Sequence, residues 1–203
     1  MKKLIISTGN IDKVSEIKDI LSGLKLEILS KDEAGLSDLE VIEDADTLRG
    51  NAILKARAVL ENSDADLVLA DDTGLYVDYL NGMPGVHTAR YAGEDADYSD
   101  NRKKLLSELQ GVPETERGAK FITSIVILSK DKEYDAIGVC EGSITINEIG
   151  ELGFGYDPIF IPKGYDKTFA ELPSEIKNKI SHRALALNQL RELLENIGVE
   201  KNE

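Results

Sequence analysis

At 203 residues, the chain is long enough for one domain with a substantial core, and its 41% hydrophobic and 31% charged residues are ordinary for a globular protein. The formal net charge of −14 argues against a surface that follows a nucleic-acid backbone, and no apolar run approaches the roughly 20 residues needed to span a bilayer. The single cysteine, Cys140, excludes an intramolecular disulfide and fits a reducing compartment, so we expect a cytoplasmic protein that binds neither polymeric nucleic acid nor membrane.

The N-terminal segment combines a strand, a glycine turn and a helix. Residues 3–7 predict a short buried strand, and a Thr-Gly-Asn turn leads into a helix predicted over residues 12–24. This order directs backbone N–H groups and a helix N-terminus at one point, which is a natural phosphate site. Lys13 lies in the first helical turn, where the helix dipole disfavours a cation. A bound phosphate would offset that cost, so this position indicates function.

Two adjacent aspartates follow the next predicted strand. A helix over residues 47–61 comes after an acidic approach, and a buried strand over residues 66–70 ends in Asp71-Asp72-Thr73-Gly74. Paired carboxylates at this place suit Mg²⁺, which takes few carboxylates together with waters and phosphate oxygens. Neighbours on a strand point to opposite faces, so we expect only one of the two to reach the ion. The residues alone also allow a second interpretation, in which the pair caps the turn at Thr73-Gly74.

The remaining predicted elements complete an α/β pattern with a hairpin. Residues 75–80 continue as strand or short helix, and residues 81–85 form a loop. The later predicted elements are a helix over residues 99–109, two strands over residues 121–128 and 136–146, a short strand over residues 158–161 and a helix over residues 181–196. Cys140 lies in the alternating pattern of the second hairpin strand, so we expect a buried structural thiol. Strands mixed with helices and one hairpin predict an α/β domain with a mixed sheet.

The segment GFGYDP, residues 153–158, has the composition of a base-binding turn. Its two glycines allow the backbone to approach a ligand closely, and its aromatic residues can offer a ring face to a planar base. Asp157 can accept hydrogen bonds from ring N–H groups. By itself, the segment fits a structural turn with a core aromatic equally well.

Four separated motifs occur in a fixed order along the chain. They are TGNIDK at residues 8–13, ADDTG at residues 70–74, GFGYDP at residues 153–158 and SHR at residues 181–183, with further matching stretches at residues 51–56, 82–91 and 164–172. In this combination the chain resembles the inosine triphosphate pyrophosphatase family, the Ham1-like pyrophosphatases of non-canonical purine nucleotides, from about residue 3 to residue 194. The resemblance implies a mixed central sheet flanked by helices, in one domain over residues 1–203 with two lobes and the active site in the cleft between them.

The resemblance also implies an activity and a set of site residues. The expected reaction is Mg²⁺-dependent hydrolysis of ITP, dITP and XTP to the monophosphate and pyrophosphate by a homodimer. Asp72 is the expected catalytic residue, and Glu43 and Asp72 are the expected metal ligands. The expected substrate-binding residues are Thr8, Gly9, Asn10, Ile11, Asp12, Lys13, Lys55, Thr73, Phe154, Gly155, Tyr156, Asp157, Lys177, His182 and Arg183.

Departures from the family pattern keep alternatives open. Gly50 stands where the family usually has an acidic residue, Leu48 where it usually has Phe, and Thr73 where it usually has Ser. Loss of the carboxylate at Gly50 motivates a second hypothesis, a nucleotide-binding sensor without catalysis. A third hypothesis is a Maf-like pyrophosphatase for modified pyrimidine nucleotides, or a phosphatase that releases orthophosphate.

Overall fold

The computed structural model describes residues 1–196 and 199–200. The strands are β1 (Lys2–Ile6), β2 (Leu26–Ser30), β3 (Leu67–Val77), β4 (Pro84–Gly85), β5 (Gly118–Leu128), β6 (Glu133–Ile144) and β7 (Phe160–Pro162). The α-helices are α1 (Ile11–Leu21), α2 (Leu48–Glu61), α3 (Tyr98–Glu108), α4 (Ser174–Ile180) and α5 (His182–Asn196). Among the described residues, no helix combines the length and the apolar character that crossing a membrane requires.

The strands form one mixed sheet. Its order is β2-β1-β3-β5-β6-β7, and β4 pairs with β3 outside this path. β1 runs parallel to β2 and to β3, whereas β3 with β4 and β6 with β7 are antiparallel. The predicted α/β class with a mixed central sheet flanked by helices is therefore confirmed.

The contacts within the chain group into two compact units. The first unit contains Met1–Asp72, Thr123–Gly138 and the chain from Arg183 onward, and the second contains Thr73–Ile122 and Val139–His182. Strands β3, β5 and β6 contribute residues to both units.

The core of the first unit follows the alternation of strand side chains. Leu67 and Leu69 of β3 pack with residues of α1 and α5, whereas Val68 and Ala70 pack with residues of α2. The helices therefore cover opposite faces of this part of the sheet. Continued along β3, the same alternation directs Asp71 to the α1 and α5 face and Asp72 to the α2 face.

The core of the second unit is rich in aromatic side chains. Phe121 of β5 packs against Phe160 of β7, with ring centroids 4.7 Å apart, and Phe169 stacks on Phe160 at 5.3 Å. Leu105 of α3 is buried in the same cluster, and Cys140 of β6 lies there as well. Burial raises the pKa of the Cys140 thiol to about 11, as expected for a structural cysteine.

One predicted turn is absent because the strand before it continues. The strand predicted to end at residue 70 runs without interruption to Val77, and a 3₁₀ helix, Asp78–Leu80, follows it. Its second half is held by pairing with β4, where Leu75 faces Gly85. The interpretation of the two aspartates as caps of a turn at Thr73-Gly74 is therefore wrong.

Other differences concern short elements and element ends. β2 and α4 were not predicted, because a five-residue edge strand and a seven-residue helix show too little periodicity. The strand predicted over residues 158–161 is a 3₁₀ helix, Asp157–Ile159, followed by β7. α1 ends at Leu21 instead of residue 24.

Candidate active site

The turn before α1 satisfies much of its own hydrogen bonding. Asn10 is the N-cap of α1, and its side chain accepts from the backbone N–H groups of Asp12 at 3.0 Å and Lys13 at 3.2 Å. Thr8 Oγ1 accepts from the N–H of Asn10 at 3.2 Å. Several donors of the expected phosphate turn are thus directed to its own side chains, which fixes the shape of the turn.

The surface of this turn is open at two of the expected site residues. A Cβ atom on Gly9 would find no atom within 4 Å beyond its own chain neighbours. The Ile11 side chain is 78% exposed. The turn therefore leaves space beside the start of α1, and the phosphate-binding roles of its residues stay predictions.

Asp71 lies in a buried ion-pair network. Lys13 Nζ lies 3.1 Å from Asp71 Oδ2, and Arg183 donates to the same oxygen through Nε at 3.2 Å and Nη2 at 2.9 Å. Arg183 also donates through Nη1 to Glu16. Burial would raise the pKa of Asp71, but Lys13 and Arg183 outweigh it and hold that pKa well below its usual range.

The ion-pair network around Asp71 includes two expected substrate-binding residues, Lys13 and Arg183. Burial lowers the pKa of Lys13, and the attraction of Asp71 does not fully offset the effect. The Arg183 side chain is 2% exposed and forms ion pairs with Glu16 and Asp71, two carboxylates of the first unit. Its expected role in reading the base stays a prediction.

Asp72 takes part in a separate network on the α2 face. Lys55 Nζ lies 3.2 Å from Asp72 Oδ1 and 2.9 Å from Glu43 Oε2. Asn51 Nδ2 donates to the other oxygen of Asp72 at 3.1 Å. Burial raises the pKa of Asp72, and the cationic Lys55 only partly opposes this shift. Burial lowers the pKa of Lys55, but Asp72 and Glu43 outweigh it, so the net shift is upward.

The acidic segment packs closely on the start of α2. Thr47 is the N-cap of this helix, and its Oγ1 accepts from the N–H of Gly50 at 3.0 Å. The N–H of Ala45 donates to Asn51 Oδ1 at 3.0 Å. A Cβ atom on Gly50 would lie 2.6 Å from the Cβ of Ala45, so glycine permits this approach. The departure from the family pattern at Gly50 therefore has a packing reason.

In the second unit, Asp157 fastens the turn that contains Phe154. Asp157 Oδ2 accepts from the N–H of Phe154 at 2.8 Å and from Lys177 Nζ at 2.5 Å. Lys177 Nζ also lies 4.7 Å from the centroid of the Phe154 ring. A side chain on Gly153, whose φ is +74°, would place Cβ 2.1 Å from Asp157 Oδ2. Phe154, Asp157 and Lys177 are thus brought together as one cluster.

The other expected base-binding residues have different surroundings. Tyr156 is buried in the core and donates through its hydroxyl to the Thr88 carbonyl at 2.9 Å, so its ring is not presented at the surface. The His182 ring stacks on Phe121 with centroids 4.5 Å apart. The carbonyl of Gly155 accepts from Arg102 Nη1 at 2.7 Å. Thr73 is partly buried on β3.

Three residues of these networks were not predicted. Asn51 lies in a stretch that matches the family pattern, but neither this residue nor Glu16 and Arg102 is among the expected site residues. The sequence carries a signal for Asn51, because it stands one helical turn before Lys55 and therefore on the same face of the predicted helix. Sequence spacing gives no comparable signal for Glu16, whose partner Arg183 is 167 positions away.

The carboxylates around Lys55 have the chemistry that Mg²⁺ requires. The Lys55 ammonium lies within 3.2 Å of an oxygen of both Glu43 and Asp72, so both carboxylates can reach a common cation. The described residues contain no group of three or more acidic, histidine or cysteine side chains arranged to bind a metal. Two hard oxygen ligands leave positions for water and phosphate oxygens, and this donor set fits magnesium.

Comparisons with known proteins agree with these motifs. The model of the Ham1 family matches residues 4–193. The chain is 46% identical to the dITP/XTP pyrophosphatase of Caldanaerobacter subterraneus subsp. tengcongensis over 194 residues, which cover 96% of each chain. It is 47% identical to the dITP/XTP pyrophosphatase of Clostridium perfringens over 203 residues, which cover 97% of this chain and 99% of the relative.

A solved structure extends the similarity to the fold. The Staphylococcus aureus Ham1 protein matches with a TM-score of 0.84 and 38% sequence identity, over 97% of this chain and 100% of that chain. The matches therefore cover nearly the whole length in both sequence and structure, and we conclude that the chain belongs to the Ham1 family.

Proposed function

We propose that this protein hydrolyses the non-canonical purine nucleotides ITP, dITP and XTP to the monophosphate and pyrophosphate. The observation that carries the proposal is the arrangement of Glu43, Lys55 and Asp72 in a chain whose relatives are dITP/XTP pyrophosphatases. Water attacks the α-phosphorus, the bond between the α-phosphorus and the bridging oxygen breaks, and pyrophosphate leaves.

In this proposal, the first unit handles the phosphates and the attacking water. Glu43 and Asp72 hold Mg²⁺, which supplies positive charge against the negative charge that develops on the phosphates. Lys13 and Lys55 bind phosphate oxygens, together with the turn before α1. Asp72 orients or deprotonates the attacking water as a positioned carboxylate.

The cluster around Phe154 in the second unit provides base recognition. Phe154 stacks on the purine, and Lys177, which lies over that ring, donates to the 6-oxo group of hypoxanthine or xanthine. His182 and Arg183 are further proposed donors. Adenine carries a 6-amino donor at this position, so donor would meet donor, and an unpaired buried polar group costs about 1–3 kcal/mol. The proposed consequence is strong preference for ITP and XTP over ATP.

Product identification tests the proposal directly. The purified chain is incubated with dITP, XTP, dATP and dGTP in Mg²⁺, and phosphate release is measured with and without added inorganic pyrophosphatase. We expect monophosphate and pyrophosphate from dITP and XTP, so orthophosphate appears only when pyrophosphatase is present. Direct release of orthophosphate, or binding without turnover, would contradict the proposal.

Assembly and location are further parts of the proposal. We propose a homodimer in the cytoplasm, where it would act on the free nucleotide pool. Family membership supports both statements. Sedimentation equilibrium of the purified chain tests the first, because a single species of monomer mass would contradict it, and fractionation of the source cells tests the second.

A further inference from the structure

Asn51 connects the two parts of the first unit that carry the expected metal ligands. Its Nδ2 donates to Asp72 Oδ2 at 3.1 Å, and its Oδ1 accepts at 3.0 Å from the N–H of Ala45, which lies close to Glu43 in the chain. The residue is 2% exposed. We propose that Asn51 is a positioning residue that fixes both the Asp72 carboxylate and the segment carrying Glu43, an inference that rests on the proposed function.

The hydrogen bonds of Asp72 define its orientation. Asn51 and Lys55 lie one turn apart on the same face of α2, and each binds a different oxygen of Asp72. Rotation of the carboxylate would break at least one of these bonds. Because the amide is neutral, Asn51 orients Asp72 without adding a second charge beside Lys55.

An amide is the side chain that suits both partners of Asn51. The backbone N–H of Ala45 requires an acceptor, and the Asp72 carboxylate requires a donor. Aspartate at this position would keep the acceptor but place one carboxylate beside another. Leucine, of similar size, would leave both partners without their bond to residue 51, and burial makes such a loss costly.

Gly50 allows Asn51 to reach the acidic segment. A Cβ atom on Gly50 would lie 2.6 Å from Ala45 Cβ and 3.0 Å from Thr47 Oγ1. Any larger residue would push this segment away from α2 and strain the bond between Ala45 and Asn51. The two adjacent residues therefore act together, Gly50 by making room and Asn51 by bonding.

The test compares Asn51→Asp and Asn51→Leu with the wild-type chain. The readouts are kcat and KM for dITP, binding of Mn²⁺ as a spectroscopic probe of the metal site, and Tm. We expect kcat to fall about 10–100-fold in both variants, the range for residues that orient metal ligands, with a smaller change in KM. Mn²⁺ binding should weaken about 10-fold in Asn51→Leu, which also releases the Glu43 segment.

Two further variants complete the design. Asn62→Ala removes an exposed amide near the other end of the same helix, where it donates to the Ala58 carbonyl, and should leave kcat and Mn²⁺ binding unchanged. Gly50→Ala displaces the acidic segment while retaining the amide of Asn51. It should therefore weaken Mn²⁺ binding, and its decrease in kcat should be smaller than that of Asn51→Leu.

The outcomes separate this inference from the proposed function. If the Asn51 variants lower only Tm and keep kcat and Mn²⁺ binding within about twofold of wild type, Asn51 is merely structural. If neither variant folds, unchanged Mn²⁺ binding in Gly50→Ala overturns the inference. If wild type releases no pyrophosphate from dITP or XTP, the proposed function fails, and the Mn²⁺ data alone decide the role of Asn51.

Discussion

At the scale of single residues, the two adjacent aspartates, Asp71 and Asp72, have different expected roles. Asp72 lies near the α2 face with Lys55 and Asn51, and Asp71 is buried between Lys13 and Arg183. Asp72→Asn should lower kcat by about 10²–10⁴, the effect of losing a positioned acid–base group. It should change stability little, because Lys55 keeps its bond to Glu43. Steady-state kinetics and thermal unfolding measure both effects.

Asp71→Asn should instead reduce stability. It leaves Lys13 and Arg183 beside a neutral side chain in a buried place, and breaking a buried ion pair costs about 3–5 kcal/mol. Urea unfolding of the two variants provides the comparison. A larger loss of kcat in Asp71→Asn than in Asp72→Asn, with stability retained, would reverse the assignment.

The ion pairs of Asp71 also lead us to expect that the stability of the fold depends on pH. The folded-state pKa of Asp71 is depressed, so this carboxylate contributes stability that is present above its unfolded pKa of about 3.9. That contribution is lost as pH falls below this value, because the unfolded chain takes up the proton first. The free energy of unfolding, measured between about pH 6 and 3, should fall more steeply for wild type than for Asp71→Asn. Equal slopes would show that Asp71 is not held ionised by its partners.

At the scale of elements, the turn around Phe154 depends on Gly153, and Gly155, two residues further on, serves as a control position. Both glycines have positive φ, +74° at Gly153 and +61° at Gly155. Alanine at either position should therefore cost about 1–2 kcal/mol of backbone strain. Only at Gly153 would the new Cβ collide with Asp157, and at Gly155 it would meet no atom within 4 Å beyond its own chain neighbours.

Gly153→Ala should therefore lower Tm more than Gly155→Ala does. It should also raise KM for dITP, because the displaced Asp157 loses its bonds to Phe154 and Lys177. Thermal unfolding and dITP kinetics of the two variants measure this difference. Equal Tm values would mean that the turn accommodates the Cβ without moving Asp157.

Elements were predictable from the sequence where their periodicity was long enough. The apolar spacing of α1 and the continuous apolar run at the start of β3 were sufficient, and the rule that strand neighbours face opposite sides explains why Asp71 and Asp72 have different partners. The continuation of β3 through polar residues was not predictable, because pairing with β4 and distant cations stabilise it. Arg183 is 112 positions from Asp71, and no local pattern encodes such a contact.

At the scale of the whole molecule, binding of a nucleotide should raise stability only when a divalent cation is present. The chain has a formal net charge of −14, and the phosphates of the ligand add further negative charge. Lys13 and Lys55 are already paired with carboxylates, so they cannot by themselves neutralise a triphosphate. Mg²⁺ should therefore be required for tight binding.

The Asp72→Asn variant is unsuitable for measuring this effect, because it lacks an expected metal ligand. A non-hydrolysable dITP analogue is therefore used with the wild-type chain. At about 100 times its Kd, the analogue with Mg²⁺ should stabilise the fold by about 2.7 kcal/mol. For a chain of this size, that corresponds to a rise in Tm of about 5–10 °C. The same analogue in EDTA, or the matching dATP analogue with Mg²⁺, should give a much smaller shift. Equal Tm shifts with and without Mg²⁺ would show that the lysines alone hold the phosphates. Equal Tm shifts for the dITP and dATP analogues would show that the Phe154 cluster does not distinguish the group at position 6 of the purine.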